Sequence, residues 1–206
     1  MAKPIFYRFA GSAFSHIVFW SLLVQPIGGA IAGAGQVKGS TDGSDSLLQT
    51  TTGVNTGAIG QGASALQESA FAIGNSSSAE GLKSLAVGHS SSSKAQSTIA
   101  IGSTANALAD HALAIGKSAS GIGSCSLAAG SSATAAGNQS TAVGSQTRAG
   151  DQASAFGQCA QANGSNSLAL GSGALSAGTK GIAIGANSSA SNLSLIHISE
   201  PTRPTP

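Results

Sequence analysis

Few residues in this 206-residue chain are of types that do chemistry. The two cysteines, Cys125 and Cys159, occupy different points of a repeating pattern, one before Gly130 and the other after Gly157. They lie about two and a half repeats apart, roughly 12 Å if each repeat adds one strand spacing. That exceeds the Cα separation of about 7 Å that a disulfide tolerates. Both cysteines therefore read as small residues in a Ser/Ala-rich coil. His89 and His111 have no Cys or carboxylate partner at ligand spacing, so they read as solvated turn residues rather than metal ligands. Gly121-Ile122-Gly123 lacks the further glycine of a phosphate loop. No serine lies in a Gly-x-Ser-x-Gly elbow with identifiable His and acid partners, and calcium-binding nonapeptides are absent. The expectation is a protein that is not an enzyme, with no catalytic, cofactor or metal site.

What organises the chain is a period. A bulky apolar residue, Ala, a second bulky apolar residue and Gly recur, as in Ile99-Ala100-Ile101-Gly102 and Leu113-Ala114-Ile115-Gly116. The closing glycines are Gly60, Gly74, Gly88, Gly102, Gly116, Gly130, Gly144, Gly157, Gly171 and Gly185. Their spacing is 14 residues except for one step of 13, from Gly144 to Gly157. A fixed period of this kind signals a stacked repeat. Fourteen residues accommodate two strands of about five residues and two tight turns. Gly ends one strand where the chain turns sharply or takes a positive φ. Successive coils would stack as parallel strands about 4.8 Å apart, so ten coils make a rod of about 48 Å. The weak coils around Ala129, Thr141 and Ser154, together with the 13-residue step, predict a local irregularity or bend there.

Period 2 sorts the side chains onto two sides of the strand. The residue two before each closing Gly is Ala in all ten coils, from Ala58 to Ala183. Ala at every coil predicts a thin interior, to which Ala105, Ala107, Ala133, Ala135, Ala160 and Ala162 of the second strand would add. The flanking positions form a bulky stripe: Ile59, Phe71, Ile73, Leu85, Val87, Ile99, Ile101, Leu113, Ile115, Leu127, Val143, Phe156, Leu168, Leu170, Ile182 and Ile184. With Ala inside, that stripe has no place to bury within one chain, and it would be a large exposed patch on a monomer. At about 1.5–3 kcal/mol per fully buried side chain it is the main available source of stability. A parallel homo-oligomer with stripes facing a common axis follows. The alternative is a wider single-chain β-helix with the stripe inside.

These coils resemble the head repeats of the trimeric autotransporter adhesins of Gram-negative bacteria, the YadA-like heads, over about residues 56–190. The resemblance implies an all-β fold, a left-handed parallel β-roll of about ten coils, three identical chains and an outer-membrane anchor. It also implies a bacterial cell-surface location and a role in attachment to host matrix proteins or cells, with autoaggregation a further role. The Asn that often precedes the Ser of the family pattern is replaced by Ser69, Lys83, Ser97, His111, Cys125 and Gln139, and is retained at Asn166.

Composition fits a rod. Charged residues make up 8% of the chain against about 25% in an ordinary domain, and there are 29 glycines. Such composition alone could mean disorder, but the strict period argues against it. From Val37 to Asn192 six basic residues balance six acidic ones, so no basic patch points to nucleic acid. Lys83, Lys94, Lys117 and Arg148 are candidate outward contacts or solvated charges.

The segments outside the repeat read differently. Residues 1–34 carry Lys3 and Arg8, an apolar run around Ile17–Val24 and small residues at Ala30, Ala32 and Ala34, the pattern of a cleaved export signal. A membrane anchor is the alternative, against which Pro26 and the paired glycines shorten the span. Residues 35–55 read as a lead-in and 56–192 as the head repeats. Residues 193–206 resemble the translation of a sequencing adapter and are expected to be non-native. A heptad stalk and membrane-spanning strands are not seen, so anchoring is expected only through a missing C-terminal domain. Two rival functions remain: a phage or appendage fibre, and a β-solenoid binder of ice or polysaccharide. The latter needs an aligned Thr or aromatic ladder, which Thr98, Thr104, Thr134, Thr141 and Thr147 do not form.

Overall fold

The structure, a computed structural model, describes residues 50–191 and 196–198. They form an all-β parallel solenoid of about ten turns. Each coil contributes one strand of three residues and one of two, giving two 11-stranded parallel sheets. Typical members are Ile99–Ile101 and Leu113–Ile115 in one sheet, and Asn106–Ala107 and Ser120–Gly121 in the other. The strands are shorter than the five residues expected from the period. One connection of four residues and one of five take up the difference in every full coil.

The register is the sequence period made physical. Leu113, Ala114 and Ile115 lie beside Ile99, Ala100 and Ile101 on one side and Leu127, Ala128 and Ala129 on the other. Like stacks on like, so four interior columns run along the solenoid. Two belong to the three-residue sheet, seen in Ala112 and Ala114, and two to the two-residue sheet, seen in Ala105 and Ala107. Nothing larger than Thr98 or Thr147 is fully buried. The interior is as thin as the repeated Ala requires, and the alanines expected inside are buried. The single-chain alternative, with the bulky stripe enclosed, is not the fold that forms.

Serines and threonines interrupt the alanines without widening the coil, because each short hydroxyl can reach a local carbonyl. Thr147 Oγ1 donates to the Gly144 carbonyl (2.8 Å) and Ser140 Oγ to that of Gly137 (2.6 Å). Ser93 Oγ donates to Thr98 Oγ1 (2.7 Å), which donates to the Ala95 carbonyl (2.7 Å). Ser84, Ser126, Ser167 and Ser176 bury a hydroxyl with no such partner. An unpaired buried hydroxyl costs about 1–3 kcal/mol.

The closing glycines are obligatory on two counts. Gly102 has φ +135°, a region that side chains exclude, and a Cβ there would overlap the carbonyl of Gly116 in the next coil. The 13-residue step, where a local irregularity or bend was expected, keeps both ladders in register and confines the irregularity to one turn. Thr141, Ala142 and Val143 pair in register with Ser154, Ala155 and Phe156, and Arg148 with Gln161. The missing residue is absorbed in the turn after Arg148–Ala149. In other coils two successive N–H groups share one carbonyl there, as Ala136 and Gly137 do with Ala149 (2.9 and 3.4 Å). In the short turn Gly150 N–H alone donates to Ala162 (2.8 Å). Removing the residue with the weaker bond leaves both ladders intact.

Regular pairing begins at Thr50–Thr51, inside the expected lead-in, because these residues hold register with Ser64 and Ala65. At the other end the backbone of Ile196–Ile198 pairs with Ile182–Ile184. That strand falls in the segment expected to be non-native; Ile196 and Ile198 are in phase with the period. The export-signal reading lies outside the described residues.

Candidate functional site

The two outer faces of the flattened coil present different chemistry. On the three-residue sheet, alternation sends Ala inward and its neighbours outward. Exposure is 50% at Ile59, 47% at Phe71, 44% at Leu170 and 43% at Ile184. Ile73, Ile101, Ile115, Phe156 and Ile182 are also exposed. Leu85, Val87, Ile99, Leu113, Leu127, Val143 and Leu168 are half-buried against their neighbours in the stack. All sixteen stripe residues thus lie on one outer face, in two columns. The columns thin between Leu127 and Phe156, where Ala129, Thr141 and Ser154 replace bulky side chains.

The two-residue sheet turns a polar face outward. One column reads Ser78, Ser92, Asn106, Ser120, Thr134, Arg148 and Gln161, joined by register. Beside it run Glu80, Lys94, Leu108, Ile122, Ala136 and Asn163, with Leu108 and Ile122 exposed. Lys94 and Arg148, expected as outward residues, lie on this face.

The turns form the two edges. In each turn the residue two before the next strand adopts the left-handed conformation: Thr104 (φ 56°) and His111 (φ 60°) in one coil, Ser118 (57°) and Cys125 (56°) in the next. Eighteen non-glycine residues do so, against two glycines at equivalent points, Gly62 and Gly173. Non-glycine residues there cost about 1–2 kcal/mol each. The geometry persists because the N–H of each points at the coil before it. Thr104 donates to the His89 carbonyl (2.8 Å), His111 to Gln96 (2.9 Å) and Cys125 to Asp110 (2.9 Å). The residue before it is sometimes an Asx that reaches back as well. Asp110 Oδ1 accepts from Gln96 N–H (3.0 Å) and Asn138 Oδ1 from Ser124 N–H (3.0 Å).

The candidate chemical residues fall on these edges. Cys125, exposed, precedes a three-residue strand, whereas Cys159, half-buried, follows one, so the two free thiols occupy opposite edges. His89, His111, Lys83 and Lys117 are exposed turn residues. Among the described residues no group of three His, Cys, Asp or Glu is placed to hold a metal ion.

Two features escaped the sequence reading. The substitutions for Asn at Ser69, Lys83, Ser97, His111, Cys125 and Gln139 are all left-handed residues, a role that the short polar side chain of Asn suits best. A second glycine column, Gly81, Gly123, Gly137 and Gly164, also packs against the next coil with no room for a Cβ. Its signal was weaker because Ala95 and Ala109 interrupt it.

The family model of the YadA head domain repeat, two copies per match, matches residues 52–77, 67–91, 79–103, 93–119, 125–147 and 149–174. These stretches cover more than half of the chain. No curated protein matches it.

Proposed function

The chain belongs to the YadA head domain repeat family, and on that premise we propose that it is the head of a trimeric adhesin displayed on a bacterial outer membrane. The observation that carries this reading is the apolar face. Its bulky side chains stand exposed or half-buried in two columns along the described coils, and a contiguous apolar patch of this kind marks an interaction surface. Three copies in parallel would bury the stripes on a common axis and turn the three polar faces outward. Because every strand is in register with the next, the trimer contacts repeat from coil to coil.

The head then acts as a passive binding surface rather than an enzyme. Ten coils on three chains repeat the same outward geometry, and multivalency raises attachment without any strong single contact. The ligands proposed are host matrix proteins or cell-surface molecules, and neighbouring cells for autoaggregation. The test is retention of the assembled chain on surfaces coated with collagen, fibronectin or albumin. Retention on a matrix protein that is lost when the chain is monomeric supports the proposal. Equal retention on albumin contradicts it.

A further inference from the structure

The one irregular coil opens a notch on the polar face. In regular coils two residues stand between the two-residue strand and the Asx-type turn position, as Ala136 and Gly137 stand between Ala135 and Asn138. In the short coil Gly150 alone stands between Ala149 and Asp151, whose Oδ1 accepts from Asn138 N–H (3.1 Å) as its counterparts do. Gly150 takes the place in the outward column Leu108, Ile122, Ala136, and having no side chain it leaves a gap before the column resumes at Asn163. The gap is floored by Ala136 and Gly150 and walled by Arg148, Gln161 and Asn163.

The walls are chemically specific. Arg148 and Gln161 are register partners on adjacent strands, and both side chains are exposed. Asn163 Nδ2 donates to Gln161 Oε1 (3.3 Å), which fixes the two amides against each other and leaves Gln161 Nε2 and Asn163 Oδ1 without a protein partner. No ion pair engages the Arg148 guanidinium among the described residues. The notch thus presents a planar cation, an amide donor and an amide acceptor around a small apolar floor. A guanidinium matches a carboxylate bidentately. A donor and an acceptor side by side match a hydroxyl group, which both accepts and donates. A long polyanion is a poor fit, because Arg148 is the only cation lining the gap.

We infer that the notch at Arg148, Gln161 and Asn163 is a binding site for an acidic sugar residue carrying a single carboxylate beside hydroxyl groups. The site lies on the opposite face from the apolar stripe, so occupation of one does not exclude the other.

The experiment is saturation-transfer NMR on the full chain with D-glucuronic acid, with glucose and acetate as separate probes. Glucuronic acid is expected to give transfer that glucose and acetate do not match. R148Q is expected to weaken it about tenfold, the usual size for losing a charge-assisted hydrogen bond. A136L fills the floor without touching a charge and is expected to abolish transfer. Both substitutions are at outward positions, and circular dichroism verifies that each variant keeps its β signal. Transfer unchanged in R148Q and A136L overturns the proposal. Equal transfer from acetate and glucuronic acid overturns the assignment to a sugar.

Discussion

The two outer faces of this solenoid share one backbone plan and differ in what they ask of their surroundings. The three-residue sheet carries Ile, Leu, Val and Phe outward in two columns, a contiguous apolar face of the kind that marks an interaction surface. The two-residue sheet carries Ser, Asn, Thr, Arg and Gln at the equivalent points. Between them lies an interior too thin to tell them apart, made of Ala, Ser, Thr and Gly. A globular domain draws its stability from its core. Here the interior sets the spacing, and most of the larger apolar side chains are on the outside of one face, Leu108 and Ile122 being exposed on the other. The comparison separates the fold of one chain from its stability; on the proposed reading the second depends on what covers the apolar face.

The largest effect should come from the element both faces share. Gly102→Ala places a Cβ against the Gly116 carbonyl at a φ of +135°. A loss of about 3 kcal/mol or more is expected, read as a fall in the thermal midpoint, because strain and overlap add. Retention of the wild-type midpoint would mean that the stack is not as tight as the register implies.

Next comes the contrast between faces. The pair Ile101→Asp and Ile115→Asp puts two charges into the middle of the apolar columns. Each removes about 1.5–3 kcal/mol of burial if the face is covered. Assembly measured by sedimentation should be lost. The matched pair Ser92→Asp and Asn106→Asp on the polar face should leave assembly unchanged. Equal effects from the two pairs would erase the distinction between the faces.

A smaller effect of opposite sign is expected at the edges. His111→Gly and Lys83→Gly relieve left-handed residues with φ of 60° and 56°. Each should raise stability by about 1 kcal/mol, the approximate cost of holding a non-glycine residue there. The gain shows as a higher denaturant midpoint. Gln61 neighbours Gly62, which already supplies the glycine, so replacing it should give no such gain. The same substitution at Ala105, an interior position, should lower stability instead. No change at His111 or Lys83 would mean that the strain is relieved elsewhere.

Much of this was legible in the sequence because the period is physical. Residues 14 apart are strand neighbours, so the repeated Ala read directly as a narrow interior and the closing Gly as a turn. The stripe was legible for the same reason: Ile99 and Ile101 flank Ala100, and a strand has only two sides. The turns were harder. His111 and Cys125 have ordinary side chains with no sign that the backbone holds them left-handed; only comparison with Asn166 carried the signal. The short coil read as a local irregularity or bend; the deletion was visible, but its place in the turn after Ala149 was not. Arg148 read as one charge among several, since its setting beside Gln161 and Asn163 depends on the strand register and on Gly150 leaving the outward column without a side chain.

The most direct measurement is the thermal midpoint of the β signal of the full chain as a function of its concentration, with mass determined at each concentration by sedimentation. If the apolar face is the intersubunit core, folding is coupled to assembly. The midpoint should then rise with concentration, and the folded species should have the mass of three chains. A β-rich monomer with a concentration-independent midpoint would contradict this, and would leave the stripe of Ile, Leu, Val and Phe exposed in the stable protein.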